Sequence, residues 1–192
     1  MNNHEYPAPN DVCLATLDHA LRQVGIHDGR ITDNGGAITI TTTGTKAATD
    51  QAMALAACGS LYCNKITAIE KVDFDSNVLA LVPVAVTVGG VTGMFDLADP
   101  RTDYPFYLSL TQTAEADPSI LPEIVPCING GLLCSTVEEV RSISTALRNR
   151  LDYIYTSSTP NADGSHSKLL LISAIMAAAD QEALDAIEDT RQ

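Results

Sequence analysis

The stretch "PCINGGLLC", residues 126–134, places two cysteines around an Asn-Gly-Gly core. Paired thiols of this kind can hold a metal, form a disulfide or supply a nucleophile. A tight turn at Asn129 and Gly130, whether its loop holds two residues or three, leaves Cys134 out of register with Cys127 across a hairpin. The pattern therefore favours a hairpin turn over a disulfide.

The remaining thiols and the histidines form no recognisable catalytic or metal-binding pattern. Zinc sites use closely spaced cysteine pairs, or cysteines joined by histidines, and Cys58 and Cys63 match neither arrangement. A thiol enzyme needs a cysteine of lowered pKa beside a histidine base. Cys127 is the best candidate nucleophile, but no histidine lies near it in sequence. Because the cysteines and histidines form no such pattern, we expect no metal and no cofactor.

Closely spaced aspartates could form a second kind of site, one that binds a divalent cation. Asp73 and Asp75 in "DFDS" have a spacing that can share a divalent cation, and "FDLADPRTD" supplies three further aspartates. Acidic loops between strands have this composition without binding metal, so the sequence favours a solvated loop. A small hydrolase or transferase that uses this aspartate pair with a metal, or Cys127 as nucleophile, is the alternative to a non-catalytic role.

The charge of the chain narrows the class of partner. Its 192 residues carry 11 Lys and Arg against 24 Asp and Glu, a formal net charge of −13. Phosphate backbones and anionic membranes would repel such a protein, so we expect neither nucleic-acid nor membrane partners. The first residues have no secretory signal pattern, and the apolar runs at 78–88 and 169–179 are shorter than the roughly 20 residues of a spanning helix. The sequence predicts synthesis in the cytoplasm.

Apolar periodicity predicts the first half of the fold. A helix is expected after Asn10 and Asp11, with apolar positions from Leu14 to Val24, and then a hairpin around Asp33 to Gly36. The Ala-rich segment 46–58 predicts another helix. Beyond it the pattern indicates strands at 65–72, 78–88, 91–97 and 104–113, a proline-containing loop at 113–126, a capping box at 135–138 that begins a helix, and a final helix from Lys168.

These elements give an α+β fold in one globular domain, residues 1–192. We expect a mainly antiparallel sheet of about five to six strands packed against three to four helices, with a long C-terminal helix. Residues 1–9 are predicted to be a flexible tail and residues 156–167 an exposed loop. No internal repeat is apparent in the sequence.

The apolar surface predicts assembly rather than catalysis. Segment 78–88 is apolar on both faces, as in a strand covered by helices or by neighbouring subunits, and aromatic residues are scarce. We therefore expect a non-catalytic structural subunit that assembles with itself or with sister proteins, as in a virion, with an acidic inhibitor that mimics a polyanion as another alternative. Cys13 is a candidate for a disulfide between copies. The predicted interface residues are Val82, Val84, Val86, Glu182, Asp185, Glu188 and Asp189.

Overall fold

A computed structural model describes residues 1–7, 12–99 and 103–192. In these residues seven helices accompany seven strands, and the strands form three small antiparallel sheets. The α+β class is confirmed, whereas the prediction of one sheet with five to six strands is wrong. The elements are β1 (Asn2–Pro7), α1 (Leu14–Gln23), β2 (Arg30–Asp33), β3 (Ala37–Thr42), α2 (Lys46–Leu55), α3 (Leu61–Ala80), β4 (Val84–Val88), β5 (Val91–Phe95), α4 (Asp103–Ala116), β6 (Glu123–Cys127), β7 (Gly130–Cys134), α5 (Val137–Leu151), α6 (Lys168–Ala177) and α7 (Gln181–Asp185).

The chain divides into two compact units. Unit 1 comprises Met1–Lys71 and Ile175–Ala186, and unit 2 comprises Val72–Ala174 and Ile187–Gln192. Each unit encloses its own cluster of buried apolar side chains. The single globular domain expected from the sequence stays a prediction.

In unit 1 a three-stranded sheet of order β1-β3-β2 packs with helices α1 and α2 around one core. Ile38 and Ile40 are fully buried on one face of β3, as the alternation predicts. Residues 2–7 of the segment predicted to be a tail form β1, which pairs with the free edge of β3. Tyr6 of β1 anchors this strand, because its hydroxyl donates to Asp50 Oδ1 at 2.9 Å. Residues 8–9 of the predicted tail, and the predicted cap at Asn10 and Asp11, lie outside the described residues.

The loop before β2 is fastened by one carboxylate. Asp28 accepts hydrogen bonds from the Thr42 hydroxyl at 2.6 Å, the Thr43 hydroxyl at 2.7 Å and the Thr43 amide at 2.9 Å. These bonds, led by that from Thr42, lower the pKa of the Asp28 carboxyl from 3.8 to about 2. The carboxylate therefore stays ionised, and the loop stays tied to the end of β3, well below neutral pH.

Unit 2 is built from two hairpins, each followed by a helix. β4 and β5 precede α4, and β6 and β7 precede α5, so a hairpin–helix motif recurs although no repeat is visible in the sequence. The inner faces of both hairpins and the apolar face of α5 share one core. The largest fully buried side chains of this core are Phe95, Leu97, Leu132, Ile143, Leu147 and Ile154.

Helix α3 replaces two predicted elements. The sequence predicts a strand at 65–72, a loop at 73–77 and the start of a strand at 78–88, and these predictions are wrong up to Ala80. β-branched side chains favour strands locally, but the buried positions recur at helical steps, and packing on that face overrides local propensity. The strand begins at Val84, so Pro83, which has no N–H to donate, lies just outside the hydrogen-bonded ladder. The buried α3 positions are Cys63, Ile66, Val72, Ser76 and Ala80.

Two further predictions need correction. The aromatic-rich segment 104–113 is part of helix α4 and not a strand, because its buried positions Thr111 and Ala114 lie on one helical face against α5. The long C-terminal helix is interrupted: α6 ends at Ala177, and Asp180 caps a separate helix α7 by accepting from the Ala183 amide at 2.9 Å.

Candidate functional site

The end of helix α3 carries a row of exposed apolar side chains, here named the α3 stripe. Its members are Phe74, Val78, Leu81 and Val82, with exposed fractions of 67%, 46%, 56% and 47%. The Leu81 amide donates a hydrogen bond to the Val78 carbonyl, and the Val82 amide donates one to the Leu79 carbonyl, both at 3.2 Å. These bonds continue the helical turn past Ala80. Val78 follows Phe74 by four residues, and Leu81 and Val82 follow Val78 by three and four, so the four side chains lie along one side of the end of α3 and the turn after it.

The opposite face of α3 is held by Arg191, whose side chain is completely buried. The Arg191 guanidinium donates at 2.8 Å to the Ser76 hydroxyl and at 2.8 Å to the Ile154 carbonyl, and it pairs with the carboxylate of Asp189. The Tyr155 hydroxyl adds a bond of 3.2 Å to the Ser76 carbonyl. One face of the helix is thus fixed within unit 2, which leaves the α3 stripe outside.

A second apolar surface lies on the β6–β7 hairpin, here named the hairpin face. Ile124 is opposite Leu133, and Pro126 is opposite Gly131. All four residues are exposed, and Ile124 and Leu133 are 64% and 56% exposed. The solvent face of an antiparallel sheet is usually polar, so a face built from apolar side chains is unusual. Packing explains the glycine at position 131, because a Cβ there would clash with Cγ2 of Ile124.

The cysteine-containing stretch forms a hairpin whose register differs from both loops considered above. Cys127 pairs with Gly130, so Ile128 and Asn129 form the turn, and Cys134 lies opposite Glu123. The two sulfurs therefore do not face each other, as expected, and both thiols are free.

The side chain of Asn129 connects the turn of the β6–β7 hairpin to strand β5. Its side-chain oxygen accepts from the Met94 amide at 2.9 Å, and its side-chain nitrogen donates to the Thr92 carbonyl at 3.1 Å. The side-chain amide of Asn129 thereby accepts and donates hydrogen bonds to β5 as the backbone of a neighbouring strand would. The Cys127 thiol donates to the same oxygen at 3.1 Å, and the Ile128 amide donates to the Met94 carbonyl at 2.8 Å. The polar groups of the stretch join the β6–β7 hairpin to the β4–β5 hairpin, so their role is structural.

Substitution of Asn129 by Ala should therefore destabilise unit 2 by about 1–2 kcal/mol, since two hydrogen bonds to the backbone of β5 are lost. Asn129→Asp is the matched control, because a carboxylate still accepts from the Met94 amide but no longer donates to the Thr92 carbonyl. Because Asp places a carboxylate oxygen against the Thr92 carbonyl oxygen, we expect this variant to lose at least as much stability as the Ala variant in urea unfolding followed by circular dichroism. Equal stability of all three proteins would show that Asn129 does not join the hairpins.

The carboxylate pair of Asp73 and Asp75 lies on a helix and not in the loop that the sequence favours. Asp73 and Asp75 lie on helix α3, where residues two apart point in different directions. The Asp73 carboxylate forms an ion pair with Lys168 at 2.9 Å. Among the residues that the structure describes, no group of three or more His, Cys, Asp and Glu side chains is placed to hold a metal ion.

An open cleft of about 620 Å³ lies in unit 2, and its cations Arg148 and Lys168 pair with carboxylates. Arg148 contacts Asp152 at 2.9 Å, and this hydrogen bond lowers the pKa of the Asp152 carboxyl. Lys168, a second cation of the cleft, contacts Asp73. Sequence reasoning missed this cleft because its lining residues come from segments far apart in the chain. Its cations are neutralised by the chain's own carboxylates.

The predicted interface residues occupy different environments. Val82 belongs to the α3 stripe, Val84 is half-buried against the core of unit 2, and Val86 is buried within that core. Of the acidic residues, Glu182, Asp185 and Glu188 are exposed, whereas Asp189 is paired with Arg191. Sequence reasoning missed Phe74 and Leu81, although their spacing from Val78 has a helical period that would have grouped them.

In the described parts of the chain, no helix combines the length and apolar character needed to cross a membrane. No known protein family, curated protein or solved structure matches this chain.

Proposed function

We propose that this chain is a non-catalytic structural subunit that assembles with copies of itself into a larger particle. The observation that supports this most strongly is the α3 stripe, four exposed apolar side chains on the last turns of α3 and the turn after it, where the other face of the helix is anchored by Arg191. A contiguous apolar surface of this kind on a folded chain marks a contact site for another polypeptide.

Charge favours a second copy as the occupant. With a net charge of −13, two copies repel each other wherever their acidic surfaces meet. The members of the α3 stripe and of the hairpin face carry no charge, so contacts between these side chains themselves add no repulsion. Two separate contact surfaces on each chain also allow growth beyond a dimer, since each copy can bind two neighbours.

Light scattering of the purified full-length chain at micromolar concentration tests this proposal. We expect a mass that is a multiple of 20.3 kDa and that rises with concentration. The variant F74S/L81S should lose the contact through the α3 stripe and stop at a smaller species. Leu169→Ser is the matched control, because Leu169 is 52% exposed but belongs to neither surface, and its mass should equal that of the wild type.

Salt separates this proposal from an acidic inhibitor that mimics a polyanion. Contacts between apolar surfaces persist in molar salt, whereas binding to a basic groove through carboxylates is screened. A monomer at every concentration and salt level would overturn the assembly proposal. A stoichiometric metal in the purified protein, or selective labelling of Cys127 by a thiol probe, would favour the hydrolase or transferase alternative.

A further inference from the structure

At four places in the chain an Asn or Asp is followed directly by Gly, a pair that can rearrange without an enzyme. The backbone nitrogen of the glycine attacks the side-chain carbon of the preceding residue, because glycine has no side chain to shield its nitrogen and its backbone rotates freely. Whether such a pair reacts in a folded protein depends on how the fold holds the side chain. The four pairs are Asp28–Gly29, Asn34–Gly35, Asn129–Gly130 and Asp163–Gly164.

Three of the four side chains are held by hydrogen bonds. The Asp28 carboxylate is bound at the end of β3. The Asp163 carboxylate accepts from the amide of Ser165 at 2.9 Å and from its hydroxyl at 2.7 Å. The side-chain amide of Asn129 is bonded to β5 through both its oxygen and its nitrogen. Each of these side chains must break its bonds before it can turn toward the following glycine.

Asn34 lies in the turn between β2 and β3 and is held differently. Asn34 and Gly35 are both exposed, and Gly35 adopts a φ of +74°. Among the residues that the structure describes, none forms a hydrogen bond with the Asn34 side chain, whereas its backbone amide donates to the Ala37 carbonyl at 3.0 Å. The Gly35 amide donates to the Asp33 carboxylate at 2.8 Å, so the proton that this amide must lose already faces a base.

Asn129 provides a close comparison within the same chain. It is also exposed, also lies in a hairpin turn and also precedes a glycine of positive φ. Gly130, however, is paired with Cys127 in the β6–β7 ladder, whereas Gly35 lies outside the ladder of β2 and β3. The side chain of Asn129 is bonded to β5, and that of Asn34 is not. Hydrogen bonding, and not exposure, therefore distinguishes the two sites.

We infer that Asn34 is a site of spontaneous deamidation in the folded chain, and that the fold protects Asn129 from the same reaction. The Gly35 nitrogen bonds to Cγ of Asn34, and its proton passes through solvent to Nδ2, which leaves as ammonia when the Cγ–Nδ2 bond breaks. Water then opens the resulting succinimide ring at either carbonyl, which gives aspartate or isoaspartate at position 34. Water is the co-reactant, and no residue is oxidised or reduced.

The reaction would have different consequences at the two sites. At Asn34 it adds one negative charge to the net charge of −13, in an exposed turn. At Asn129 it removes the donor to the Thr92 carbonyl, the same change as in the Asn129→Asp variant. The fold thus leaves reactive the asparagine whose side chain it does not use. This inference is independent of the proposed assembly, because Asn34 belongs to unit 1 and the α3 stripe and the hairpin face belong to unit 2.

Incubation of the full-length chain in mildly alkaline buffer at body temperature, followed by peptide mass spectrometry that separates the Asn, Asp and isoaspartate forms, tests the inference. We expect Asn34 to deamidate at least about tenfold faster than Asn129, because reaction at Asn129 requires local opening of its turn. In concentrated urea both sites lose their native contacts, and their rates should agree to within about threefold. Asn34→Gln is the matched control. Its longer side chain would have to form a larger ring, so product at position 34 should vanish while the rate at Asn129 stays unchanged.

The wild-type rates decide the matter without any variant. A smaller ratio between the two sites in native buffer would overturn the inference, as would an Asn34 that stays intact there. A ratio that persists unchanged in urea would also overturn it, because the neighbouring sequence, and not the fold, would then set the two rates.

Discussion

Replacement of Arg191 by Ala is expected to lower the free energy of unfolding of unit 2 by about 3–5 kcal/mol, the range for breaking a buried ion pair. The guanidinium is completely buried and pairs with Asp189. It also donates to the Ser76 hydroxyl and to the carbonyls of Ile154 and Val72. Its removal leaves buried acceptors without this donor, and their desolvation is then uncompensated.

Arg22→Ala is the matched control for this prediction. The Arg22–Asp18 pair lies on the exposed side of α1, with side chains more than half exposed, and its loss should cost no more than about 0.5 kcal/mol. Urea unfolding followed by circular dichroism measures both changes, and hydrogen exchange of α3 peptides should speed up only in the Arg191 variant. Equal, small effects of the two substitutions would show that Arg191 does not anchor α3.

A large effect of Arg191→Ala would also bear on the proposed assembly. The α3 stripe presents an ordered surface only while the inner face of the helix is held in place. We therefore expect the Arg191 variant to lose the contact through the α3 stripe together with stability, whereas F74S/L81S should lose that contact alone. Comparison of the two variants separates damage to the surface from damage to its support.

The elements that the sequence predicted correctly are those whose signals are local. The hairpin of β2 and β3 follows from Asp33 to Gly36, where Gly35 adopts a φ of +74° that a turn between strands requires. The hairpin of β4 and β5 turns in the same way at Gly89 and Gly90. Helix α1 follows from its apolar period. In each case a few adjacent residues decide the structure.

The wrong predictions concern segments in which tertiary packing overrides local preference. Ile66, Thr67 and Val72 suit a strand, yet they belong to α3 because its buried face has a helical period. The predicted capping box at 135–138 has the right type but is displaced by one residue: Thr136 and Glu139 form it. Such a shift is expected where two adjacent hydroxyl residues compete for the same cap.

The candidate sites were partly readable from the sequence. Val82 was predicted as an interface residue and lies in the α3 stripe, but its companions on that stripe emerge only once α3 is a helix. The anchoring of α3 by Arg191 depends on a contact between residues more than 100 positions apart. No local pattern encodes such contacts, so only the folded chain shows them.

Substitution of Phe95 by Ala should destabilise unit 2 by about 3–5 kcal/mol, because a large buried ring is lost and leaves a cavity. Phe95 is 1% exposed, and its ring meets that of Tyr107 edge-on, with centroids 5.4 Å apart and an interplanar angle of 86°. Gly93 has no side chain because a Cβ there would meet the Phe95 ring, so the site is closely packed. Phe95→Leu retains much of the volume and should cost less than the Ala variant.

Phe106→Ala tests whether burial or the ring contact is responsible. Phe106 also meets Tyr107 edge-on, at 5.1 Å between centroids, but it is 50% exposed. An aromatic pair contributes about 0.5–1.5 kcal/mol beyond burial, so both Ala variants lose that contribution and only Phe95→Ala also opens a cavity. We expect the Phe95 variant to lose at least twice as much stability in urea unfolding. Similar losses would mean that contact with Tyr107, rather than closure of the core between the two hairpins, is what Phe95 contributes.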